Sequence, residues 1–242
     1  VCALLAGGGQ AELAVAPEAQ AMPLPDTVDL VTAAALPEVS ATVWSNLVMI
    51  AGLTQGETVL IHGGASGVGT MAIQVARALG AQVVTTAGPA EKVARCRALG
   101  AHVAVSYRDE DWVAATLDAT NGRGADVILD IMGAAYLERN VNALATGGRL
   151  VIIGLQGGTT AELNLSALLT KRATIHATSL RSRPLAEKAE ICSAVVAGLW
   201  PLIAAGKVEP VIHTTLRMNQ VAEAHLLVAN NEHIGKVLLT TA

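Results

Sequence analysis

The stretch LIHGGASGVGTMAIQ, residues 60–74, sets Gly63, Gly64, Gly67 and Gly69 between a β-branched run, ETVLIHG, and a helical pattern, VGTMAIQVARALG. In that pattern Val68, Met71, Ala72, Val75, Ala76 and Leu79 fall on one face, and Gly80 follows the last turn, a common helix stop. Two readings explain so little side chain at one point. The run is a tight turn, or a large anion has to reach the backbone there.

The pattern repeats downstream. AQVVTTAG (81–88) reads as a strand, and PAEKVARCRALG (89–100) as a helix with Pro89 in its first turn and Gly100 at its end. AHVAVSY, ADVILDIMG, GRLVIIG and RATIHATSL read as four more strands, with helical patterns DEDWVAATLDAT and AYLERNVNALA among them. Strands that are continuously apolar rather than alternating are buried on both faces, which is the mark of a parallel sheet. Right-handed crossovers make the expected architecture a doubly wound α/β sheet. Such sheets bind ligands at the carboxyl ends of their strands.

The flanks do not continue the repeat. Residues 1–40 are rich in Ala and Pro, and PLAEKAEICSAVVAGLWPLIAAG (184–206) is a long helix interrupted at Pro201. KVEPVIHTTL, MNQVAEAHLLVANN and GKVLLTTA close the chain. The expected organisation is a partial substrate domain over 1–40, a dinucleotide domain over 41–182 and a return to the first domain over 183–242. The chain opens without Met and inside a strand-like run, so it is read as starting partway into a longer protein.

Composition narrows the function. The 242 residues are 52% hydrophobic, only 2% aromatic and without Phe, so the core is built from Ala, Val, Leu and Ile. A net charge of −4 with no basic run gives no reason to expect nucleic acid. No membrane span is expected, because Pro37, Glu38 and glycines break the apolar windows. Cys2, Cys96 and Cys192 lie far apart, which argues against a disulfide framework or zinc knot and fits a reducing cytoplasm.

Between a strand and a helix, the glycine run has a chemical use. A helix start offers unpaired N–H groups and a positive dipole end, and a diphosphate can sit there if no side chain blocks it. Gly64 is read as allowing the tight turn and Gly69 as letting the helix pack close. Gly64-Ala65-Ser66-Gly67-Val68-Gly69 is a G-x-x-G-x-G variant, with Ser66 a possible donor to phosphate. An NAD site usually carries an acid at the tip of the second strand. Here VVTTAGPAEK has none. Gly88 leaves space and Lys92 rises from the next helix, which suits a 2′-phosphate and therefore NADPH. A solvated surface lysine is the plainer reading, and Glu91 would partly offset its charge.

With those residues in view, the chain resembles the zinc-independent quinone oxidoreductases of the medium-chain dehydrogenase/reductase superfamily, the zeta-crystallin-like group. AAALPEVSATVW, GETVLIHGGASGVGTMAIQVARALGA, TAGPAEK, SYRDEDW, GGRLVIIG and HIGKVLLT carry the resemblance. It implies a Rossmann domain beside a GroES-like β-barrel that is incomplete here, its front seventy or so residues missing. It implies that Ala65, Ser66, Gly67 and Val68 form the phosphate loop. Gly88, Lys92 and Tyr107 would line the adenosine phosphate, and Thr42 would lie near the nicotinamide ribose. Ile153, Gly154, Leu155, Ser179 and Leu180 would hold the nicotinamide, and Lys236 would be a surface lysine near the diphosphate. Homodimers would form by pairing of sixth strands, whose bare edge is otherwise a liability.

The implied reaction is hydride transfer from NADPH to a quinone without metal, since LPEVSATVW lacks the Cys that zinc alcohol dehydrogenases carry there. The alternatives are reduction of an enone or alkenal double bond, and NADPH binding without catalysis. No catalytic side chain is assigned. His62, His102 and His176 read as satisfied histidines, and Asp130 as either a ribose ligand or a helix-start cap. Tyr136 is followed four residues later by Asn140 rather than Lys, so the tyrosine–lysine pair of short-chain reductases is absent from that stretch.

Overall fold

The computed structural model describes residues 1–241; Ala242, the last residue of the expected C-terminal segment, lies outside the described residues. The chain forms two compact units, one of 45–65 and 72–179, the other of 1–44, 66–71 and 180–242.

The first unit holds six strands: β1 (Thr58–Ile61), β2 (Gln82–Ala87), β3 (Val103–Ser106), β4 (Ala125–Asp130), β5 (Leu144–Ile152) and β6 (Thr174–Ala177). They form one sheet in the order β3-β2-β1-β4-β5-β6, and every neighbouring pair is parallel. This is the 3-2-1-4-5-6 order of the doubly wound dinucleotide fold. Every residue of β1 is buried, as a strand covered on both faces requires. Leu60, Val84, Ile128, Leu144 and Leu150 pack with Trp112 in its core. Asp111 starts the helix Trp112–Ala119 by accepting from Val113 N–H at 3.0 Å.

His62 follows β1 and is completely enclosed. Its Nε2 lies 2.8 Å from Asn140 Oδ1 and its Nδ1 3.0 Å from Thr86 Oγ1. A carbonyl oxygen only accepts, so Nε2 carries the proton and Nδ1 accepts from the hydroxyl. The rings of Trp112 and Tyr136 meet it edge-on. Burial holds its pKa down to about 4, with Arg139 adding to the effect and Asn140 opposing it. The histidine is therefore a satisfied core residue, as its sequence position suggested. A depressed imidazole pKa favours folding above the unfolded value, near 6.5, and that gain is lost as pH falls toward 4. Unfolding free energy is expected to drop by about 3 kcal/mol over that window. Urea titrations at several pH values check this, and His62→Gln should flatten the slope.

In the second unit, Cys2–Ala3 pairs antiparallel with Ala21–Met22, and Ile212–Arg217 pairs parallel with Lys236–Thr240. Around them lie the helices Pro37–Val43, Leu185–Gly198, Trp200–Ala204 and Val221–Ala229. Pro201 falls in the first turn of its helix, where its missing N–H costs nothing. Cys192 is buried in the long helix, and Cys96 is buried in the first unit.

Candidate functional site

The glycine run sits after β1 and leads into the helix Gly67–Ala78. The positive φ of the turn belongs to Gly63, at 70°, which corrects the assignment of that role to Gly64. Gly64 is needed for clearance: a Cβ there would lie 2.1 Å from Thr85 Oγ1 and 2.9 Å from Cys96 Sγ. Ala65 beside it is buried.

Ser66 precedes the helix, and its Oγ accepts from Gly69 N–H at 3.0 Å. Its carbonyl accepts from Thr70 N–H at 2.9 Å. Gly67 and Val68 keep the first-turn amides that have no intrahelical acceptor. Ser66 thus caps the helix, a role the sequence reading passed over for phosphate donation. A second neighbour was underweighted. Gly235 bridges to Ser66, and a Cβ on Gly67 would come within 2.5 Å of Lys236 Cδ. Lys236 Nζ lies 3.8 Å from Glu38 Oε2, and Glu38 Oε1 accepts from the buried Thr42 hydroxyl at 2.9 Å. The Glu38 carboxylate offsets the charge of Lys236 beside this positive helix end.

In the first unit, Gly88 ends the β2 segment, and Tyr107 follows β3 by a hydrogen bond from its N–H to Ala87 O at 3.0 Å. A Cβ on Gly88 would lie 3.0 Å from the Tyr107 hydroxyl, so glycine is what lets the ring approach. Lys92 is only 7% exposed, which overturns the solvated-lysine reading. Burial draws its pKa down; Glu91 opposes this and Arg108 adds to it. Gly88 and Tyr107 thus meet beyond the ends of β2 and β3, and Lys92 stands on the helix Ala90–Ala98.

At the end of β5, Ile153 N–H donates to Asp130 O at 2.8 Å, and Gln156 N–H to Ile131 O at 3.1 Å. Gly154 has no room for a side chain, because a Cβ would lie 2.8 Å from Ile131 O. Leu155 and Ser179 are exposed. Asp130 accepts from Met132 N–H and Gly133 N–H at 2.8 and 2.9 Å. The cap reading describes it; a ribose ligand does not. His102 is held by Val83 N–H and Arg77, and His176 is half-buried on β6.

The second unit also contains a cavity of about 400 Å³. Leu4, Leu5, Ala6 and Leu180 wall it, and Glu38, Arg181 and Lys188 bring charge to it. None of these three charged residues was singled out from the sequence. A signal was available for Lys188, because it stands with Ile191, Cys192 and Val195 on the buried stripe of its helix. A charged residue in an apolar stripe is rare without a reason.

Among the described residues, no three His, Cys, Asp or Glu side chains cluster to hold a metal ion. No helix among them is long and apolar enough to cross a membrane.

A family model described as zinc-binding dehydrogenase matches residues 67–195. A highly reducing polyketide synthase of Emericella nidulans is 33% identical over 225 residues, covering 91% of this chain and 9% of that protein. The chain thus spans about a tenth of that relative's length. A crystal structure of an NAD-dependent alcohol dehydrogenase superposes with a TM-score of 0.85 at 33% identity, over 97% of this chain and 66% of that one. The Escherichia coli quinone oxidoreductase complexed with NADPH does so with 0.81 at 28% identity, over 91% and 68%.

Proposed function

The chain belongs to the zinc-binding dehydrogenase family, and from that premise we propose that it reduces a carbon–carbon double bond conjugated to an acyl carbonyl, with NADPH as hydride source and without zinc. One observation carries the choice of substrate: a relative matched over nine-tenths of this chain is a highly reducing polyketide synthase. The sequence reading put a quinone first, and the relative favours its alternative. The chemistry agrees. Reducing an isolated ketone makes a strongly basic alkoxide, which calls for zinc or a strong acid. Conjugate reduction makes an enolate, which a hydrogen-bond donor and water can handle.

The reduced nicotinamide supplies hydride when bound. The chain's own residues would grip it. Gly64, Ala65, Ser66, Gly67, Val68 and Gly69 would hold the diphosphate, with Lys236 above them. Gly88, Lys92 and Tyr107 would face the 2′-phosphate. Ile153, Gly154, Leu155, Ser179 and Leu180 would present backbone groups to the nicotinamide, and Thr42 would lie by its ribose. Lys92→Ala is expected to weaken NADPH by about tenfold to a hundredfold, the worth of one charge-assisted hydrogen bond. NADH affinity should stay nearly unchanged. Parallel fluorescence titrations check this; equal weakening of both coenzymes would show that Lys92 does not read the phosphate.

A quinone acceptor is the second reading, favoured by the superposition on the quinone oxidoreductase. NADPH consumption with crotonyl-N-acetylcysteamine thioester against benzoquinone separates the two. Faster turnover of the thioester supports double-bond reduction, and turnover of benzoquinone alone removes it. The open edge of β6 supports a homodimer in solution, which light scattering measures.

A further inference from the structure

Lys188 is 6% exposed, yet it reaches the cavity wall. Its ammonium donates to the backbone carbonyl of Arg181 at 2.9 Å. Among the described residues no carboxylate forms an ion pair with it. An ammonium has three donors, and a buried charge without an anion is costly unless other groups satisfy it. The carboxylate in the cavity lining, Glu38, is engaged with Thr42 and faces Lys236. Leu4, Leu5, Ala6 and Leu180 form an apolar part of the lining, and Arg181, which is exposed, stands at the same cavity. A cavity with an apolar side and a buried ammonium suits a chain that carries an oxygen acceptor.

We propose that this cavity is the acyl site and that the Lys188 ammonium binds the substrate's carbonyl oxygen. The inference rests on the double-bond reading and names its oxygen-binding residue. As hydride adds at the β-carbon, the π pair shifts toward the carbonyl and leaves an enolate oxygen, with the nicotinamide oxidised. Water then gives the α-carbon its proton, so one hydride and one proton saturate one double bond. The Lys188 ammonium stabilises the oxygen as its charge develops. Such a contact gains strength in the transition state, where a fixed donor meets charge as it develops. The Arg181 carbonyl occupies one N–H of the ammonium, and the cavity provides the place for an acceptor of another.

Two variants test this beside the wild type. Lys188→Gln keeps a donor for the Arg181 carbonyl without the charge, and Lys188→Met keeps only the bulk. Four quantities are measured: melting temperature, NADPH affinity, affinity for the unreactive butyryl-N-acetylcysteamine thioester, and kcat and KM for the crotonyl thioester. Both variants are expected to lose about a hundredfold in kcat, with NADPH affinity retained. They should also bind the butyryl thioester about tenfold more weakly, as loss of one charged hydrogen bond implies. A lysine that only supports the loop would be replaced by glutamine without loss, so wild-type turnover in Lys188→Gln overturns the proposal. If Lys188→Met does not fold, Lys188→Gln alone decides. If the wild type turns over no enoyl thioester, the double-bond reading falls. The cavity assignment is then judged by the butyryl thioester: weaker binding in Lys188→Gln supports it, and equal or absent binding overturns it.

Discussion

Gly67→Val is expected to weaken NADPH by at least about a hundredfold, since a diphosphate at a helix start depends on several charge-assisted hydrogen bonds worth about 1.5–3 kcal/mol each. Gly67 is the first residue of its helix. A side chain there meets the Lys236 methylenes first, at 2.5 Å from Cδ. A lysine stem is flexible and can turn aside, so the fold should survive. The branched methyls would then stand where phosphate oxygens must reach the Gly67 and Val68 amides, and Lys236 would be turned from the same anion. The substitution therefore removes two contributions together. Fluorescence titration with NADPH gives the affinity, and circular dichroism confirms the fold. Wild-type affinity in a folded Gly67→Val protein would mean that the loop does not hold the diphosphate.

Gly235→Ala is expected to be the most damaging small substitution in the second unit. Gly235 has φ +79, and a Cβ there would lie 2.1 Å from the Val211 carbonyl oxygen. A backbone oxygen cannot swing away as the end of a lysine can. Positive φ adds strain for any residue with a Cβ. Together these should cost about 3 kcal/mol or more, the range reached by strained or overpacked sites. Because Gly235 also bridges to Ser66, NADPH affinity should fall with stability. Urea unfolding and coenzyme titration measure the two losses. Unchanged stability would show that the Gly235 turn relaxes without harm.

The sheet was legible because its signal is local. TVLI and the VIL of ADVILD are apolar runs without alternation, and both strands lie fully or nearly buried in the parallel sheet. Helix ends were legible for the same reason, with Gly80 and Gly100 both at positive φ. What was misread depends on partners far along the chain. The sequence could not distinguish Gly63 from Gly64, because one supplies a dihedral angle and the other makes way for Thr85 and Cys96. For Lys92 the solvated alternative could be set aside only once its 7% exposure was known. The Lys236 stem over Gly67 joins residues some 170 positions apart, as the bridge from Ser66 to Gly235 shows. Lys188 was visible only as a charge out of place on an apolar stripe, and the cavity beside it arises from packing at long range.

The central claim is that hydride from NADPH passes to a double bond conjugated with an acyl carbonyl. It is tested most directly with NADPH deuterated at the transferring position and crotonyl-N-acetylcysteamine thioester, the product being read by mass spectrometry and NMR. The account requires butyryl thioester with deuterium at the β-carbon and ordinary hydrogen from water at the α-carbon. Recovery of unreduced thioester under conditions where the same protein oxidises NADPH with benzoquinone would contradict it.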